Sequence, residues 1–314
     1  MTTEHSLEVL PRDLGAYRLG NTGVDYVHRF ESGHPGPHVL INALTHGNEL
    51  CGMTAVTHFL DTGVRPLIGT LTLSFANVEA YESFDVAKPY DSRQIVHNMN
   101  RIWSNAQLDG SDDSPELRRA RLMRSVVDAA DHVLDIHSTS QDVEPFWVYP
   151  AFARNAQVAL SVGMPQIHLV MPNGLGSGTP LIQYGAFGQA SHHGAAMVVE
   201  CGQHFKTSAG DVALAAAQGF LAHFGLIASN LAQTPSAVPA RRYELLQTCM
   251  VKSNEFRFVK PCVGFEVFSQ GELIALNGDE EIRALCDNCT ILMPTREPIV
   301  GREAVYLARP IPLS

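Results

Sequence analysis

The 314-residue sequence has no run of basic residues, and its charge balance is acidic. Lys and Arg number 22 against 32 Asp and Glu, which gives a formal net charge of −10 and a sequence pI of about 5.7. Nucleic-acid binding needs a concentrated basic face that neutralises phosphates. The composition therefore argues against a nucleic-acid partner, although a few buried arginines could still attract a small anionic substrate.

Long apolar runs are also missing. No uninterrupted apolar segment reaches about 18 residues, the length of a helix that spans a bilayer. The first ten residues carry Glu4, His5 and Glu8 and lack the basic-then-apolar order of a signal peptide. These absences predict a cytoplasmic protein with no membrane partner.

Cysteine is sparse for a chain of this length. Six cysteines do not form the dense disulfide framework of a small secreted domain, and they suit a reducing compartment. Cys286 and Cys289 form a C-x-x-C, which could be half of a zinc knuckle or a redox pair, but the second half of a knuckle is absent. We expect a surface turn there instead.

What the sequence does contain is an alternation of apolar β-rich runs and helical patterns. With 45% hydrophobic and 17% charged residues, the chain can bury the core of one large domain and a smaller one. Alternating strands and helices indicate an α/β fold with a parallel or mixed sheet, in which functional residues gather at the carboxyl ends of strands. Strands are predicted at 39–44, 67–77, 132–136, 166–171 and 195–200, and helices at 50–60, 116–130 and 210–229.

The composition changes after residue 230. The proline-containing stretch 233–239 has the character of a linker, and short strands separated by Gly or Asx turns follow it. We therefore predict an α/β domain over residues 1–236, which carries the candidate site, and a small all-β domain over residues 237–314. The predicted strands of the second domain are 256–258, 264–268, 273–276, 290–293 and 304–308.

Three potential metal ligands follow predicted strands. His46 and Glu49 stand three residues apart, so a helical or near-helical turn would bring both side chains to one ion. His137 follows another strand, and Asp135 lies on the same strand face, where it could orient the imidazole. An H-x-x-E pair alone is weak evidence, but two histidines and a glutamate are a known ligand set for catalytic zinc. The ordered set predicts one Zn²⁺ per chain.

Four short motifs resemble those of the succinylglutamate desuccinylase and aspartoacylase family, a branch of the zinc carboxypeptidase superfamily. The resemblance covers nearly the whole chain in order and spacing. It implies a zinc-carboxypeptidase-like mixed sheet flanked by helices, with a small C-terminal all-β domain. The motifs are Thr45-His46-Gly47-Asn48-Glu49, Asn98-Met99-Asn100-Arg101, Asp135-Ile136-His137 and Val199-Glu200.

The resemblance also implies catalytic roles. His46, Glu49 and His137 would be the zinc ligands, and Glu200 would act as general base and acid. Arg93 stands seven residues before Asn100, as in the family, and would polarise the scissile carbonyl. Without that spacing, an ion pair of Arg93 with Asp91 or Asp85 would be the simpler interpretation.

Substrate contacts are implied less completely. Asn100 and Arg101 would hold the carboxylate of the amino-acid part, and a guanidinium can do so through two parallel hydrogen bonds. Asn100 also fits a turn or cap residue, and Tyr306 is a candidate contact from the C-terminal domain. In the aspartoacylase branch, an arginine about ten residues before the catalytic glutamate grips a second carboxylate. Here Ala190 takes that place, which puts a dicarboxylate substrate in doubt; the two possible substitutes are Arg154 and Tyr184.

The sequence thus predicts a zinc-dependent amidohydrolase that removes an acetyl- or succinyl-type group from an N-acyl amino acid or related small amide. The alternative is a carboxypeptidase-like metallopeptidase acting on small peptides, for which the C-terminal domain would have to leave the cleft open. A non-catalytic metal- or ligand-binding protein is disfavoured, because no essential catalytic part is missing. The acyl group, the amino acid, a homo-oligomeric state and another divalent metal all stay open.

Overall fold

A computed structural model describes residues 6–232 and 238–312 of the chain. Its helices, α1 to α6, are Leu50–Asp61, Val78–Glu82, Asn105–Leu108, Pro115–Asp128, Ala153–Val162 and Thr207–His223. Its strands, β1 to β14, are Val27–Glu31, His38–Ala43, Thr70–Phe75, His132–Thr139, Phe146–Pro150, Ile167–Met171, Ala196–Gln203, Arg241–Met250, Arg257–Phe258, Val267–Phe268, Leu273–Asn277, Glu280–Arg283, Cys289–Leu292 and Glu303–Ile311.

The described residues form one large mixed sheet of eleven strands in the order β1-β3-β2-β4-β7-β5-β6-β8-β14-β13-β10. The central strands β3, β2, β4 and β7 run parallel. Strands β2 and β7 are buried along their whole length, as expected where both faces of a sheet are covered. The predicted α/β class with a mixed sheet is confirmed.

Helices cover both faces of the sheet and create two apolar cores. Phe59 of α1 and Phe220 of α6 belong to the core on one face. Met123 of α4 belongs to the core on the other face, together with Trp103. This layering holds the carboxyl ends of β2, β4 and β7 at one edge, where the candidate ligands lie.

The C-terminal strands continue the large sheet. Strand β8 pairs in parallel with β6, and β14 pairs antiparallel with β8. Strands β9, β11 and β12 form a separate three-stranded sheet. The expected C-terminal strands are therefore present, and β8, β14, β13 and β10 extend the main sheet. Most of the predicted linker, 233–239, and the boundary between 236 and 237 lie outside the described residues, so the division into two domains stays a prediction.

Some element boundaries differ from the sequence-based prediction. The helix expected at 210–229 spans 207–223, because Gly225 adopts a left-handed φ of +75° that ends the helical path. Strands β1, β5, β8 and β12 were not predicted. Residues 286–288 form the expected turn, which leads into β13. Among the described residues, no helix has both the length and the apolar character that crossing a membrane requires.

Candidate metal and active site

A sharp loop after β2 places the first two predicted ligands. Gly47 lies so close to neighbouring backbone that a Cβ atom there would stand 2.4 Å from backbone atoms of Ala80, Tyr81 and Ser92. The amide of Glu49 donates to the carbonyl of His46 at 3.2 Å, which closes the turn. Only glycine permits this close approach, and the result is that both side chains face the same side.

The three predicted ligands converge. Nδ1 of His46 lies 2.8 Å from Oε1 of Glu49, and Nδ1 of His137 lies 2.9 Å from Oε2 of the same carboxylate. One donor atom from each of the three buried residues falls within 4.8 Å of the others. His46 and His137, 91 positions apart in the chain, are joined by the parallel pairing of β2 and β4.

The outer ring nitrogens fix the tautomers of both histidines. Asn98 Oδ1 accepts from the amide of Asn100, so it is the oxygen of that side chain, and it accepts from His46 Nε2 at 2.8 Å. Nε2 of His137 donates to Asp135 Oδ2 at 2.8 Å. When the imidazoles are neutral, as metal binding requires, their Nδ1 lone pairs point at the carboxylate of Glu49. Lone pairs that face one another in this way repel unless protons or a metal cation lie between them. Imidazole nitrogens and a carboxylate are ligands that zinc prefers.

Asp135 is itself held by further hydrogen bonds. Its Oδ1 accepts from Asn42 Nδ2 and from Thr45 Oγ1, both at 2.8 Å. All of these side chains are buried. The spacing of Asp135 and His137 predicted their contact. The two residues that hold the carboxylate were not predicted to do so: Thr45 belongs to the quoted motif but was given no role, and Asn42 is a single polar residue inside an apolar run, which is not a distinct sequence signal.

Burial and neighbouring charges set the protonation of the ligand residues. Burial lowers the pKa of His46 to about 4. Burial disfavours the charged form of Glu49, but the two imidazoles outweigh it and hold the pKa of the carboxyl well below its usual value. For His137, burial is outweighed by Asp135 and Glu49, which raise the pKa of the imidazole. The carboxylate of Glu49 is therefore ionised at neutral pH and can serve as a ligand.

Glu200 lies beside this cluster. It is the register partner of His137 across β4 and β7, so both side chains point to the same face of the sheet. Its side chain is buried, and its Oε2 has no hydrogen-bond partner among the described residues. Burial raises the pKa of the carboxyl to about 8. An unpaired buried carboxyl is typical of a group that exchanges protons with a ligand.

Arg93 reaches the cluster from a 3₁₀ turn, Asp91–Arg93. Its Nη1 lies 3.2 Å from Oε1 of Glu49. The alternative partners Asp91 and Asp85 form no ion pair with it in the described part of the chain. The guanidinium is about a third exposed and faces the cleft, where it can also contact a bound molecule.

Arg101 is tied to the C-terminal segment. Its Nε and Nη2 each donate at 2.8 Å to a separate oxygen of Glu303, and Nη2 also donates to Tyr306 Oη at 3.0 Å. Nη1 donates to the carbonyl of Asn100 at 2.7 Å. The two parallel hydrogen bonds expected for a substrate carboxylate thus go to Glu303, and one N–H of Nη1 is left without a partner among the described residues.

The hydrogen-bonded network of Arg101, Glu303 and Tyr306 should contribute to the free energy of unfolding in a pH-dependent way. Burial opposes ionisation of Glu303, but Arg101 outweighs it and lowers the pKa of the carboxyl from 4.5 to about 2. Such a carboxylate stabilises the fold at pH values above about 4.5, and the contribution is lost as pH falls through about 2. We expect Glu303→Gln to lower the free energy of unfolding by roughly 3 kcal/mol at pH 7.

Urea unfolding of wild type and variant between pH 7 and pH 2.5 checks this. The difference between the two proteins should shrink towards low pH, because protonated Glu303 resembles glutamine. A difference that is independent of pH would show that the ion pair is not its cause.

A cleft of about 1650 Å³ opens above the cluster. Asn98, Arg93 and Ser138, which touch or adjoin the ligand residues, line it, and residues of the C-terminal segment line it as well. Typical small-molecule sites measure about 300–1,000 Å³, so this cleft is roomy. Arg154 and Tyr184, the two possible substitutes for the absent arginine, are not among the residues that line it; Arg154 instead donates to main-chain carbonyls, including that of Gly194.

Tyr306 and Asn100 also come to this region. Tyr306 lines the cleft and donates to Glu303 Oε2 at 2.9 Å. Asn100 is buried, and its Oδ1 accepts from the amide of Leu181 at 3.2 Å. The side chain of Asn100 therefore stabilises the backbone at Leu181. This role is closer to that of a turn or cap residue than to a substrate contact.

Comparison with known protein families finds one related domain. Residues 35–176 match the model of the succinylglutamate desuccinylase/aspartoacylase catalytic domain. That segment contains the two loops that carry His46, Glu49 and Arg93, and strand β4 with His137. A search of the curated proteins finds no match.

Several solved structures share the fold. A succinylglutamate desuccinylase from Vibrio cholerae is 17% identical with a TM-score of 0.68, over 91% of this chain and 85% of that one. The enzyme from Chromobacterium violaceum is 19% identical with a TM-score of 0.67, over 93% and 90%. A product-bound ectoine utilization protein from Ruegeria pomeroyi is 13% identical with a TM-score of 0.63, over 94% and 93%. These likenesses extend through the C-terminal strands and show the fold.

Proposed function

We propose that this chain is a zinc-dependent amidohydrolase that removes an acyl group from an N-acyl amino acid or related small amide. The match of residues 35–176 to the succinylglutamate desuccinylase/aspartoacylase catalytic domain supports this proposal. The observation that carries this proposal is the convergence of His46, Glu49 and His137, with both outer imidazole nitrogens held by Asn98 and Asp135. When bound, Zn²⁺ supplies Lewis acidity that polarises a carbonyl and makes water acidic at neutral pH.

Glu200 is the proposed proton carrier. Its unpaired Oε2 lies in the same buried region as the ligand cluster, where it can take a proton from the attacking water and pass it to the leaving amine. Arg93 is the proposed partner for the negative charge that develops on the acyl oxygen. Its guanidinium already stands near the cluster and faces the cleft.

Arg101 and Tyr306 are the proposed contacts for the carboxylate of the amino-acid part. The free N–H of Arg101 Nη1 can donate one hydrogen bond, while Glu303 keeps the guanidinium in place. We infer that Asn100 supports this contact indirectly, because its carbonyl accepts from the same nitrogen.

A substrate panel tests the proposal. Purified protein loaded with zinc should hydrolyse at least one member of a series of N-acetyl and N-succinyl amino acids. A chelator should abolish the activity and added Zn²⁺ should restore it, because the proposed reaction depends on the bound ion. Absence of both bound zinc and metal-restored hydrolysis would contradict the proposal.

The size of the cleft favours one second candidate, a metallopeptidase for small peptides. A cleft of about 1650 Å³ exceeds what an acylated amino acid fills. Dipeptides with free amino termini distinguish the two functions: their cleavage without cleavage of N-acyl amino acids would favour the peptidase.

A further inference from the structure

One wall of the cleft takes no part in the roles proposed above. It is formed by Tyr90, His204 and Arg296, with Gln203 hydrogen-bonded to Tyr90, and we refer to these four residues as the Tyr90 wall. Tyr90 stands three residues before Arg93, and Gln203 stands three residues after Glu200. Tyr90, His204 and Arg296 line the cleft. The Tyr90 wall therefore borders the reacting centre without being part of it.

The ring of Tyr90 is fixed from several sides. Gln203 Nε2 donates to its hydroxyl at 3.2 Å, and Gln203 Oε1 accepts from the amide of Phe205 at 2.8 Å. Phe205 packs edge-on against Tyr90 with ring centroids 5.1 Å apart, and His204 lies at 6.0 Å. Since the hydroxyl accepts from Gln203, its own proton remains available to a ligand in the cleft.

Arg296 lies on this fixed ring. Its guanidinium carbon is 4.1 Å from the centroid of Tyr90, a cation–π contact that orients the planar group. Arg93 and Arg101 each face a carboxylate at close range. Within residues 6–232 and 238–312, no carboxylate forms an ion pair with Arg296. It is thus a half-buried, oriented cation at the cleft whose hydrogen-bond donors are not taken up by an acidic group.

The cleft as a whole is cationic, against the charge of the chain. Five cationic side chains and three carboxylates line it, in a protein with a formal net charge of −10. Such a local reversal of sign draws anions towards the cleft. His204 adds a neutral imidazole, because burial lowers its pKa to about 3, and Ser138 Oγ lies 2.8 Å from its Nδ1.

We propose that Arg296, held on Tyr90, is a specificity residue that binds a carboxylate at an end of the substrate remote from the scissile amide. This inference rests on the proposed function, because the bound molecule is a substrate only if the protein is a hydrolase. Binding of the anion itself does not depend on turnover. The carboxylate could belong to the acyl chain or to the side chain of the amino acid. The two sources share the same chemistry and are separated by experiment.

Binding is tested on the zinc-loaded protein by calorimetry with succinate and with its monoamide, succinamate. Both probes offer one carboxylate to the reacting centre, and only succinate offers a second. Wild type should bind succinate about 10–100-fold more tightly, the range of a charge-assisted hydrogen bond, and Arg296→Gln should remove most of this preference. Arg296→Lys keeps the charge without the stacked plane and should give an intermediate ratio.

Arg302→Gln is the matched control. Arg302 also lines the cleft but is exposed, so its removal should change the ratio by no more than about two-fold. Equal binding of the two probes by wild type, or an unchanged ratio in Arg296→Gln, would overturn the proposal. These results stand even if the substrate panel shows no hydrolysis, so failure of the subsite and failure of the enzyme function are distinguishable.

Kinetics identify the source of the carboxylate. N-acetyl-aspartate is compared with N-acetyl-asparagine for the amino-acid side, and N-succinyl-alanine with N-succinamoyl-alanine for the acyl side. Arg296→Gln should raise KM for the charged member of one pair by about ten-fold or more with little change in kcat, because remote binding is lost while the reacting groups are intact. Equal effects on charged and neutral members of both pairs would contradict the assignment.

Discussion

Replacing Glu200 by glutamine should lower kcat by roughly 10²–10⁴-fold, the usual contribution of a positioned acid–base group. Glutamine keeps the shape of the side chain but cannot take a proton from water or return it to the leaving amine. Glu200 is not one of the three residues of the ligand cluster, so the zinc content of the variant should match that of wild type. Steady-state kinetics and metal analysis of the same preparation give both numbers.

Glu297→Gln is the control for this variant, because Glu297 is an exposed carboxylate that lines the same cleft. Its kcat should stay close to that of wild type. If Glu200→Gln retained full turnover with full zinc content, another group would have to carry the proton. If Glu200→Gln lost zinc, Glu200 would be a ligand instead.

Replacing His137 by glutamine should reduce zinc affinity more strongly than any change outside the ligand set. Asp135→Asn should lower affinity by about 10–100-fold, as is usual when the residue that orients a ligating imidazole is changed. His137→Gln removes a ligand itself and should lower affinity beyond that range. Competition with a chromophoric chelator measures both variants on one scale.

His193→Gln serves as the control, since this histidine is exposed and distant in the chain from all three ligands. The expected order of zinc affinity is wild type and His193→Gln together, then Asp135→Asn, then His137→Gln. A His137→Gln variant that binds zinc as tightly as Asp135→Asn would contradict the direct coordination by His137.

The parts of the site that could be predicted from sequence are those encoded locally. His46 and Glu49 share one loop, and the apolar runs before His137 and Glu200 identify buried strands whose carboxyl ends meet at one edge. Parallel pairing then brings the residues together without any further information. The sheet sets the positions of these residues, and the motifs set which side chains stand there.

Contacts over long distances in the chain could not be predicted. Arg101 and Glu303 are 202 positions apart, and a glutamate at the start of a short C-terminal strand gives no sign of its partner. The same holds for Arg296 and Tyr90. Strand β8 was missed because its alternating, partly exposed pattern gives little hydrophobic contrast. Its pairing with β6 makes the C-terminal strands part of the main sheet.

These long-range contacts bear on the substrate. Alanine at position 190 put a dicarboxylate substrate in doubt, and Arg154 and Tyr184 do not line the cleft. The cleft nevertheless carries an oriented cation at Arg296, supplied by the C-terminal segment. The C-terminal segment can thus provide the positive charge that is missing at position 190, before β7. The alanine at that position therefore does not by itself exclude a dicarboxylate substrate.

Every role proposed for this site depends on the binding of a single zinc ion by two imidazoles and one carboxylate. Crystals of the protein grown with equimolar zinc, with diffraction recorded on both sides of the zinc absorption edge, test it most directly. We expect one anomalous peak per chain, in contact with Nδ1 of His46, Nδ1 of His137 and the carboxylate of Glu49. A dominant peak elsewhere, for example at Cys286 and Cys289, or coordination through the Nε2 atoms, would contradict the account.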